Sequence, residues 1–218
     1  MWKPPVENLA KEVPRGVPTT VAIVAAILAV STAAWIGFGQ PLTPTTSHLA
    51  GGRSDLAMYA GQTWRLLSAG LLHRDLEHLA WNLVPALPFL VLLELRHGSI
   101  MVLALTLWSL LIGHLTGHWI QGGASVGFSP AVFGLIAAFL VAGPRRTRLW
   151  WLSLAYSSLA MAASFRLPGV DAGAHVGGFL AGALFAATAG FQPPRRHVLL
   201  TALAVTTVVI LGPIRSAP

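Results

Sequence analysis

The chain has 218 residues, of which 55% are hydrophobic and 10% are charged. Soluble domains usually carry about 25% charged residues, so this composition indicates an integral membrane protein. The formal net charge is +7, but the basic residues are scattered between apolar segments, which argues against nucleic acid as a partner. The sequence contains no cysteine, which excludes disulfides and thiolate metal sites.

The apolar segments predict an all-α fold, a polytopic bundle of membrane helices. Residues 1–18 are polar and proline-rich, and we interpret them as a cytoplasmic N-terminal tail. Residues 19–38 form a nearly unbroken apolar run, long enough to span a bilayer at ~20 residues. Further spans are predicted at 76–95, 100–120, 130–143, 148–165, 174–189 and 197–212. Residues 19–192 would then form a six-helix core, and residues 193–218 would hold one additional C-terminal transmembrane helix.

A long loop separates the first two predicted spans. Within it, Trp64-Arg65-Leu66-Leu67 has the amphipathic pattern of a segment that lies at the membrane interface. A loop of this length between spans is often functional, although it can also be a spacer.

The stretch 127–134 places a serine directly before a proline and an apolar helical run. Serine is a favoured N-cap and proline suits the first helical position, so Ser129 is predicted to cap this helix. A helix N-terminus has unpaired N–H donors and partial positive charge, which suits an oxyanion. Taken alone, the stretch is more typical of a serine that only caps a helix, because N-cap serines are common.

Polar residues inside membrane spans are candidates for function, because burying them is expensive. The predicted spans contain His78, Asn82 and His175, and Ser129 directly precedes the span at 130–143, whereas none of the seven Asp and Glu residues lies in mid-span. This argues against a proton-coupled transporter and against an aspartyl protease. The sequence has no His-Glu-x-x-His pattern, so a zinc protease lacks its site.

Three of these residues are predicted to lie at one depth. Asn82, Ser129 and His175 each precede the cytoplasmic end of their span by a similar number of residues, which corresponds to roughly 21–23 Å at ~1.5 Å per residue. The hydrocarbon core is ~30 Å thick, so they would lie several ångströms below the outer surface. We expect them to line a cavity that is open to water from that side.

Small residues in the fourth and sixth spans predict close packing of these two helices. Gly134 and Ala138 form a small-xxx-small pair, and Gly178 and Gly182 form a Gly-x-x-x-Gly pair. The two helices could therefore meet and place Ser129 beside His175. Ordinary membrane packing explains the glycines equally well.

The motifs resemble those of the rhomboid family of intramembrane serine proteases, and the resemblance covers nearly the whole chain. They occur in the family's order, as Trp64-Arg65 in the first loop, His73 to Asn82 followed by Leu93-Glu94 in the second helix, Gly127 to Gly134 around the serine, and Ala174-His175 followed by Gly178 and Gly182 in the sixth helix.

The resemblance implies an intramembrane serine endopeptidase with a Ser–His dyad and no acidic third member. Ser129 would be the nucleophile and His175 the general base. His78, Asn82 and the backbone N–H of Ser129 would form the oxyanion hole, and Phe133 would face the His175 ring. The family needs no cofactor and no metal, and its substrates are transmembrane proteins in the lipid bilayer. The oligomeric state does not follow from the sequence.

Two features leave alternatives open. Pro130 stands where the family has glycine, so a catalytically inactive rhomboid-like protein that binds membrane clients is the alternative function. His114 and His118 are one turn apart in the third span and could bind a metal, but no third ligand is visible, so packing is the preferred interpretation.

The distribution of Lys and Arg predicts the orientation in the membrane. If the N-terminus is cytoplasmic, that side holds nine basic residues and the opposite side holds five. The first group is Lys3, Lys11, Arg15, Arg96, Arg145, Arg146, Arg148, Arg195 and Arg196, and the second is Arg53, Arg65, Arg74, Arg166 and Arg215. We therefore predict a multi-pass protein of the cell membrane with a cytoplasmic N-terminus.

Seven spans in this orientation place Pro218 outside the cytoplasm. A reporter that is active only outside the cytoplasm should be active when it is fused after Pro218, and inactive when it is fused after Arg146. The reason is the excess of basic residues in the predicted cytoplasmic connections. A C-terminal fusion that works only with a cytoplasmic reporter would contradict this topology.

Overall fold

A computed structural model of the protein describes residues 16–189. These residues form nine α-helices and one 3₁₀ turn, with a single isolated bridge between Arg53 and Ser125 as the one extended pairing in the described range. The helices are α1 (Pro18–Phe38), α2 (Pro44–Leu49), α3 (Asp55–Tyr59), α4 (Arg65–Ser68), α5 (Leu76–His97), α6 (Ser99–Ile120), α7 (Ser129–Ala142), α8 (Arg148–Ser164) and α9 (Ala172–Ala189).

The predicted all-α membrane bundle is confirmed. The first six predicted spans coincide with α1 and with α5 to α9, and their boundaries differ by at most two residues. The predicted N-terminal tail lies almost wholly outside the described residues, and the predicted span at 197–212 lies entirely outside them. By length and composition, α1, α5 and α6 can cross a membrane, while α7 and α9 are apolar but shorter.

Helix α7 is the centre of the bundle. Every residue from Pro130 to Phe139 is buried, whereas α1, α5 and α8 bury only one face. The 14 residues of α7 give a length of about 21 Å at ~1.5 Å per residue, which is less than a bilayer core. A short helix that begins within the membrane needs protein around its first turn, because lipid cannot satisfy the free N–H groups there.

Glycines allow α9 to touch α7 backbone to backbone. A methyl group on Gly178 would overlap the carbonyl of Pro130, and a methyl group on Gly182 would overlap the carbonyl of Gly134. The prediction that the fourth and sixth spans pack closely through their small residues is therefore confirmed. Trp108 of α6 donates from Nε1 to the carbonyl of Ala181, 3.2 Å away, and so ties the third core helix to the same pair.

The long first loop folds into short helices and packs on the bundle. The amphipathic segment predicted at residues 64–67 covers the N-cap and the first three residues of the one-turn helix α4. Arg65 and Leu66 are buried, while the N-cap Trp64 is 56% exposed. The Arg65 guanidinium lies 4.8 Å from the centre of the Trp64 ring and donates to the carbonyl of Gly52 at 2.9 Å. These contacts give the loop a fixed conformation.

A buried carboxylate joins three helix ends on the opposite side of the bundle from this loop. Glu94, near the end of α5, accepts hydrogen bonds from the N–H groups of Thr19 and Thr20, at 2.8 and 2.7 Å. The hydroxyl of Ser99, the first residue of α6, donates to the same carboxylate at 2.6 Å. Glu94 thus satisfies the first-turn donors of α1, where a negative charge is favourable.

The glycine contacts predict that Gly182→Ala destabilises the protein by about 1–3 kcal/mol, because the added methyl group must push α9 away from α7. Thermal unfolding in detergent micelles measures the effect. Gly37→Ala in α1 is the matched control, since nothing lies within 4 Å of its added methyl group. Equal stability of the two variants would contradict the close packing of α7 and α9.

Candidate active site

Ser129 is the first residue of α7. Phe128 occupies the N-cap position, and no side chain there accepts a hydrogen bond from the helix. The prediction that Ser129 is the N-cap was therefore wrong by one position, whereas its location at the helix N-terminus is confirmed. The Ser129 hydroxyl lies 2.8 Å from His175 Nε2, so the cap interaction is replaced by a contact with α9.

His175 lies in the first turn of α9, and the start of this helix is anchored from two sides. Asp171 accepts from the N–H of Ala174 at 2.9 Å, as a residue before a helix commonly does. The same carboxylate is paired with Arg53, with 2.7 Å between Nη2 and Oδ2. Arg53 comes from the first loop and is fully buried. The first loop therefore holds the end of the helix that carries His175.

Among the residues that the structure describes, Ser129, Ser164 and Phe133 make hydrogen-bonding or ring contacts with His175. Besides Ser129 at Nε2, the ring stacks on Phe133 with 4.6 Å between the ring centres, in the position that the family resemblance implied. The Nδ1 atom lies 2.7 Å from the hydroxyl of Ser164, near the end of α8. The Asp171 carboxylate is directed to Arg53 and to the backbone of α9.

His78 and Asn82 lie one turn apart in the first part of α5, beside the backbone that leads into Ser129. A methyl group on Gly127 would lie 2.8 Å from His78 Nε2 and 3.8 Å from Asn82 Nδ2, so both nitrogens face this segment. Gly127 has a φ of 126°, a backbone conformation that favours glycine. The structure thus brings together all four polar residues that the sequence singled out.

The hydrogen bonds of these two side chains leave N–H donors on the side of Gly127. His78 Nδ1 accepts from the N–H of Arg74 at 3.4 Å, which places the proton of the neutral ring on Nε2. Asn82 Nδ2 donates one hydrogen to the carbonyl of His78 at 2.8 Å and has a second hydrogen. Both groups can therefore donate to a negatively charged oxygen next to Ser129.

His73 supports the same segment from behind. Its Nε2 accepts from the N–H of Phe128 at 3.3 Å, and its Nδ1 lies 3.1 Å from the hydroxyl of Ser31 in α1. The Ser31 hydroxyl donates to the carbonyl of Leu71, so it accepts from His73 Nδ1. Burial, followed by repulsion from His78 when that neighbouring ring is protonated, lowers the pKa of His73 to about 3. A neutral His73 thus joins α1 to the residue that precedes Ser129.

The two histidines considered as metal ligands have different surroundings. His118 Nδ1 lies 2.8 Å from Asp55 Oδ1 in the first loop, whereas His114 is buried inside the bundle. Within residues 16–189, no three His, Cys, Asp or Glu residues are grouped so that they could hold a metal ion.

Sequence reasoning missed two side chains at this site. Arg53 looked like an ordinary loop arginine, and only the fold brings it to Asp171. Ser164 is one of several serines in an apolar helix, and its contact depends on how α8 is rotated against α9. The serines of α8 at 153, 157 and 164 share one buried helix face, which is a weak signal that this face packs inward.

Comparison with known proteins agrees with this architecture. Residues 60–191 match the Rhomboid domain family. The chain is 26% identical to Rhomboid protease GluP of Bacillus subtilis (strain 168), over 75% of this chain and 35% of that protein. It is 36% identical to RHOMBOID-like protein 2 of Arabidopsis thaliana, over 56% and 40% of the two chains, and 34% identical to Rhomboid-like protease 3 of Toxoplasma gondii, over 56% and 49%.

The fold and the site define a multi-pass helical membrane protein in which a serine and a histidine meet across two closely packed helices. The chain belongs to the rhomboid family, because the family match covers more than half of its length. It spans between 35% and 49% of the lengths of these three relatives.

The low pKa of His73 predicts a stability that depends on pH. An unfolded histidine titrates near pH 6.5, so between about pH 6.5 and 3 the unfolded chain binds a proton that folded His73 excludes. This contribution to stability is complete above pH 6.5 and falls by up to ~1.4 kcal/mol per pH unit as the pH drops from about 6.5 to 3.

Thermal unfolding of the wild type and of His73→Gln, measured in detergent from neutral pH to about pH 4, tests this prediction. The variant should be less stable than the wild type at neutral pH, because it loses the contacts of the His73 ring with the Ser31 hydroxyl and with the backbone N–H of Phe128. The difference should shrink as the pH falls. A difference that stays constant over the whole range would show that protonation of His73 is not coupled to folding.

Proposed function

We propose that this protein is an intramembrane serine endopeptidase that cleaves peptide bonds in or near transmembrane segments through a dyad of Ser129 and His175. The observation that carries the proposal is the distance of 2.8 Å between Ser129 Oγ and His175 Nε2, across two helices that touch at their backbones. A nucleophile within hydrogen-bond reach of a base, with the base oriented by further groups, is the arrangement that acyl transfer requires.

In the proposed reaction, Ser129 Oγ attacks the scissile carbonyl while His175 Nε2 takes its proton. The carbonyl oxygen becomes an oxyanion, which His78, Asn82 and the backbone N–H of Ser129 stabilise. The first N–H groups of a helix have no partner within the helix, so the Ser129 N–H suits this role. His175 then donates the proton to the leaving amine, and water hydrolyses the acyl-enzyme.

The surroundings of Pro130 support an active enzyme over the inactive alternative. Pro130 is buried, and a methyl group on Gly113 of α6 would overlap its Cβ atom. The extra bulk of the proline is thus accommodated by the missing side chain of Gly113. Ser129 itself is only half-buried. Proline also fits the first turn of a helix, where its missing N–H breaks no hydrogen bond.

The proposed substrates are transmembrane proteins, and the site would be reached from the non-cytoplasmic side of the cell membrane. A substrate helix must unwind locally to expose its backbone to Ser129, so glycine or proline near the cut would ease cleavage. The protease names of the relatives from Bacillus subtilis and Toxoplasma gondii agree with this activity. No cofactor or metal takes part in the proposed chemistry.

Ser129→Ala and His175→Ala should each abolish cleavage of a transmembrane substrate, with a loss on the order of 10⁶-fold, because nucleophile and base act as one unit. His78→Ala and Asn82→Ala should slow cleavage by only ~10²–10³-fold each, because the remaining donors still hold the oxyanion. Cleavage in detergent and in vesicles, together with labelling by a fluorophosphonate probe, measures these effects.

Ser153→Ala is the matched control, because the hydroxyl of this buried serine donates to the carbonyl of Leu149 in its own helix. It should cleave and label like the wild type. Full activity of Ser129→Ala would show that another residue is the nucleophile. If the wild type neither cleaves the substrate nor reacts with the probe, but co-purifies with membrane helices, the proposed protease function would be wrong. The alternative function, binding of membrane clients, would then take its place.

A further inference from the structure

We propose that Ser164 is a positioning residue that sets the tautomer and the orientation of His175. The proposal rests on the proposed Ser129–His175 dyad, and it assigns to α8 a role in the chemistry. It also explains how a histidine base can work here without a carboxylate beside it.

The geometry joins three helices in one chain of contacts. Ser164 is the last residue of α8 and is 5% exposed. Its hydroxyl oxygen lies 2.7 Å from His175 Nδ1 and 2.7 Å from the carbonyl oxygen of Ala160. On the other side of the imidazole, Nε2 lies 2.8 Å from Ser129 Oγ. The order of contacts is therefore Ala160, Ser164, His175 and Ser129.

The direction of these hydrogen bonds follows from the number of available protons. A backbone carbonyl can only accept, so the single hydroxyl proton of Ser164 points to Ala160. The oxygen then presents a lone pair to His175, and His175 Nδ1 must donate. In a neutral imidazole only one nitrogen has a proton, so Nε2 holds the lone pair that faces Ser129. This is the tautomer that a general base needs.

The reverse direction would disable the dyad. If Ser164 donated to Nδ1, the ring proton would lie on Nε2 and would point at the Ser129 oxygen. Nε2 could then not accept the serine proton during attack. The carbonyl of Ala160 makes this reverse arrangement less favourable, because it offers the Ser164 proton a partner within the same helix.

The contact becomes stronger as the reaction proceeds. When the proton moves from Ser129 Oγ to His175 Nε2, the imidazole gains a positive charge and keeps its proton on Nδ1. The Nδ1–H bond to the Ser164 oxygen is then charge-assisted, and such bonds are about twice as strong as neutral ones. The stacked Phe133 ring holds the plane of the imidazole. Ser164 thus orients and stabilises the base without exchanging protons with the substrate.

Kinetics with matched variants provide the first test. Ser164→Ala should lower kcat by ~10–100-fold and leave KM nearly unchanged, by analogy with the loss seen when a hydrogen-bond partner that orients a metal-binding histidine is removed. Ser164→Thr should recover most of the rate, because threonine can keep the hydroxyl on the same helix carbonyl. Ser157→Ala is the control, since Ser157 is a buried serine of α8 that bonds to the carbonyl of Ser153.

The second test reads the tautomer itself and does not require activity. Nitrogen-15 NMR of the full chain labelled at histidine, at about pH 9 where an imidazole is neutral, distinguishes a protonated Nδ1 from a protonated Nε2. The His175 signals are identified by their loss in His175→Gln. We expect a proton on Nδ1 in the wild type and in Ser164→Thr, and a shift toward a proton on Nε2 in Ser164→Ala.

The outcomes separate this inference from the proposed function. A wild type with the proton on Nε2, or a Ser164→Ala variant with unchanged kcat and tautomer, would overturn the role of Ser164 even if the protein is a protease. The wild type could prove inactive and still have the His175 proton on Nδ1, with Ser164→Ala moving that proton to Nε2. This result would support the positioning role of Ser164 and contradict the proposed protease activity. A similar loss of kcat in Ser157→Ala would show that the helix tolerates no serine replacement, which also overturns the specific role.

Discussion

The site depends on the direct backbone contact between α7 and α9. Gly178 and Gly182 lie against the carbonyls of Pro130 and Gly134, and any larger side chain would separate the two helices. Ser129 is one residue before Pro130, and His175 is three residues before Gly178, so the contact brings their side chains to within 2.8 Å. A histidine and a serine in two helices that were held apart by ordinary side chains could not reach each other.

The starts of α7 and α9 need hydrogen-bond partners for their first backbone N–H groups, and other parts of the fold hold these two helix ends. Both helices are shorter than α5 and α6. The N–H groups of their first turns have no partner within the helix, so they need partners from the surrounding protein wherever water cannot reach them. The Arg53–Asp171 pair holds the start of α9, and His73 holds the residue before α7. Both depend on the segments between α1 and α5, which explains why so long a loop is folded and why Arg53 and His73 are buried.

Much of this arrangement could be predicted from sequence, for physical reasons that are local. The helices could be predicted because the thickness of the bilayer sets the length of an apolar span. Ser129 and His175 could be predicted because polar residues within apolar runs are rare and stand out in the sequence. Ser164 did not, because its contact depends on the rotation of α8 about its axis. The predicted N-cap was wrong by one residue, because the Ser129 hydroxyl contacts His175 in another helix. Local sequence propensity does not predict such a contact between helices. The span predicted at 197–212 lies outside the described residues and stays a prediction.

Within residues 16–189, His175 Nδ1 contacts a hydroxyl and no carboxylate, and this choice has a physical reason. A buried carboxylate needs several donors or a paired cation to offset its desolvation, and without them it would lose its charge. Asp171 is close in sequence, but its carboxylate is committed to Arg53 and to the first turn of α9. A hydroxyl and an aromatic ring orient the imidazole without placing a second charge in an apolar bundle. The charged pair of Arg53 and Asp171 thus holds the start of α9, while the neutral side chains of Ser164 and Phe133 orient His175, the proposed base.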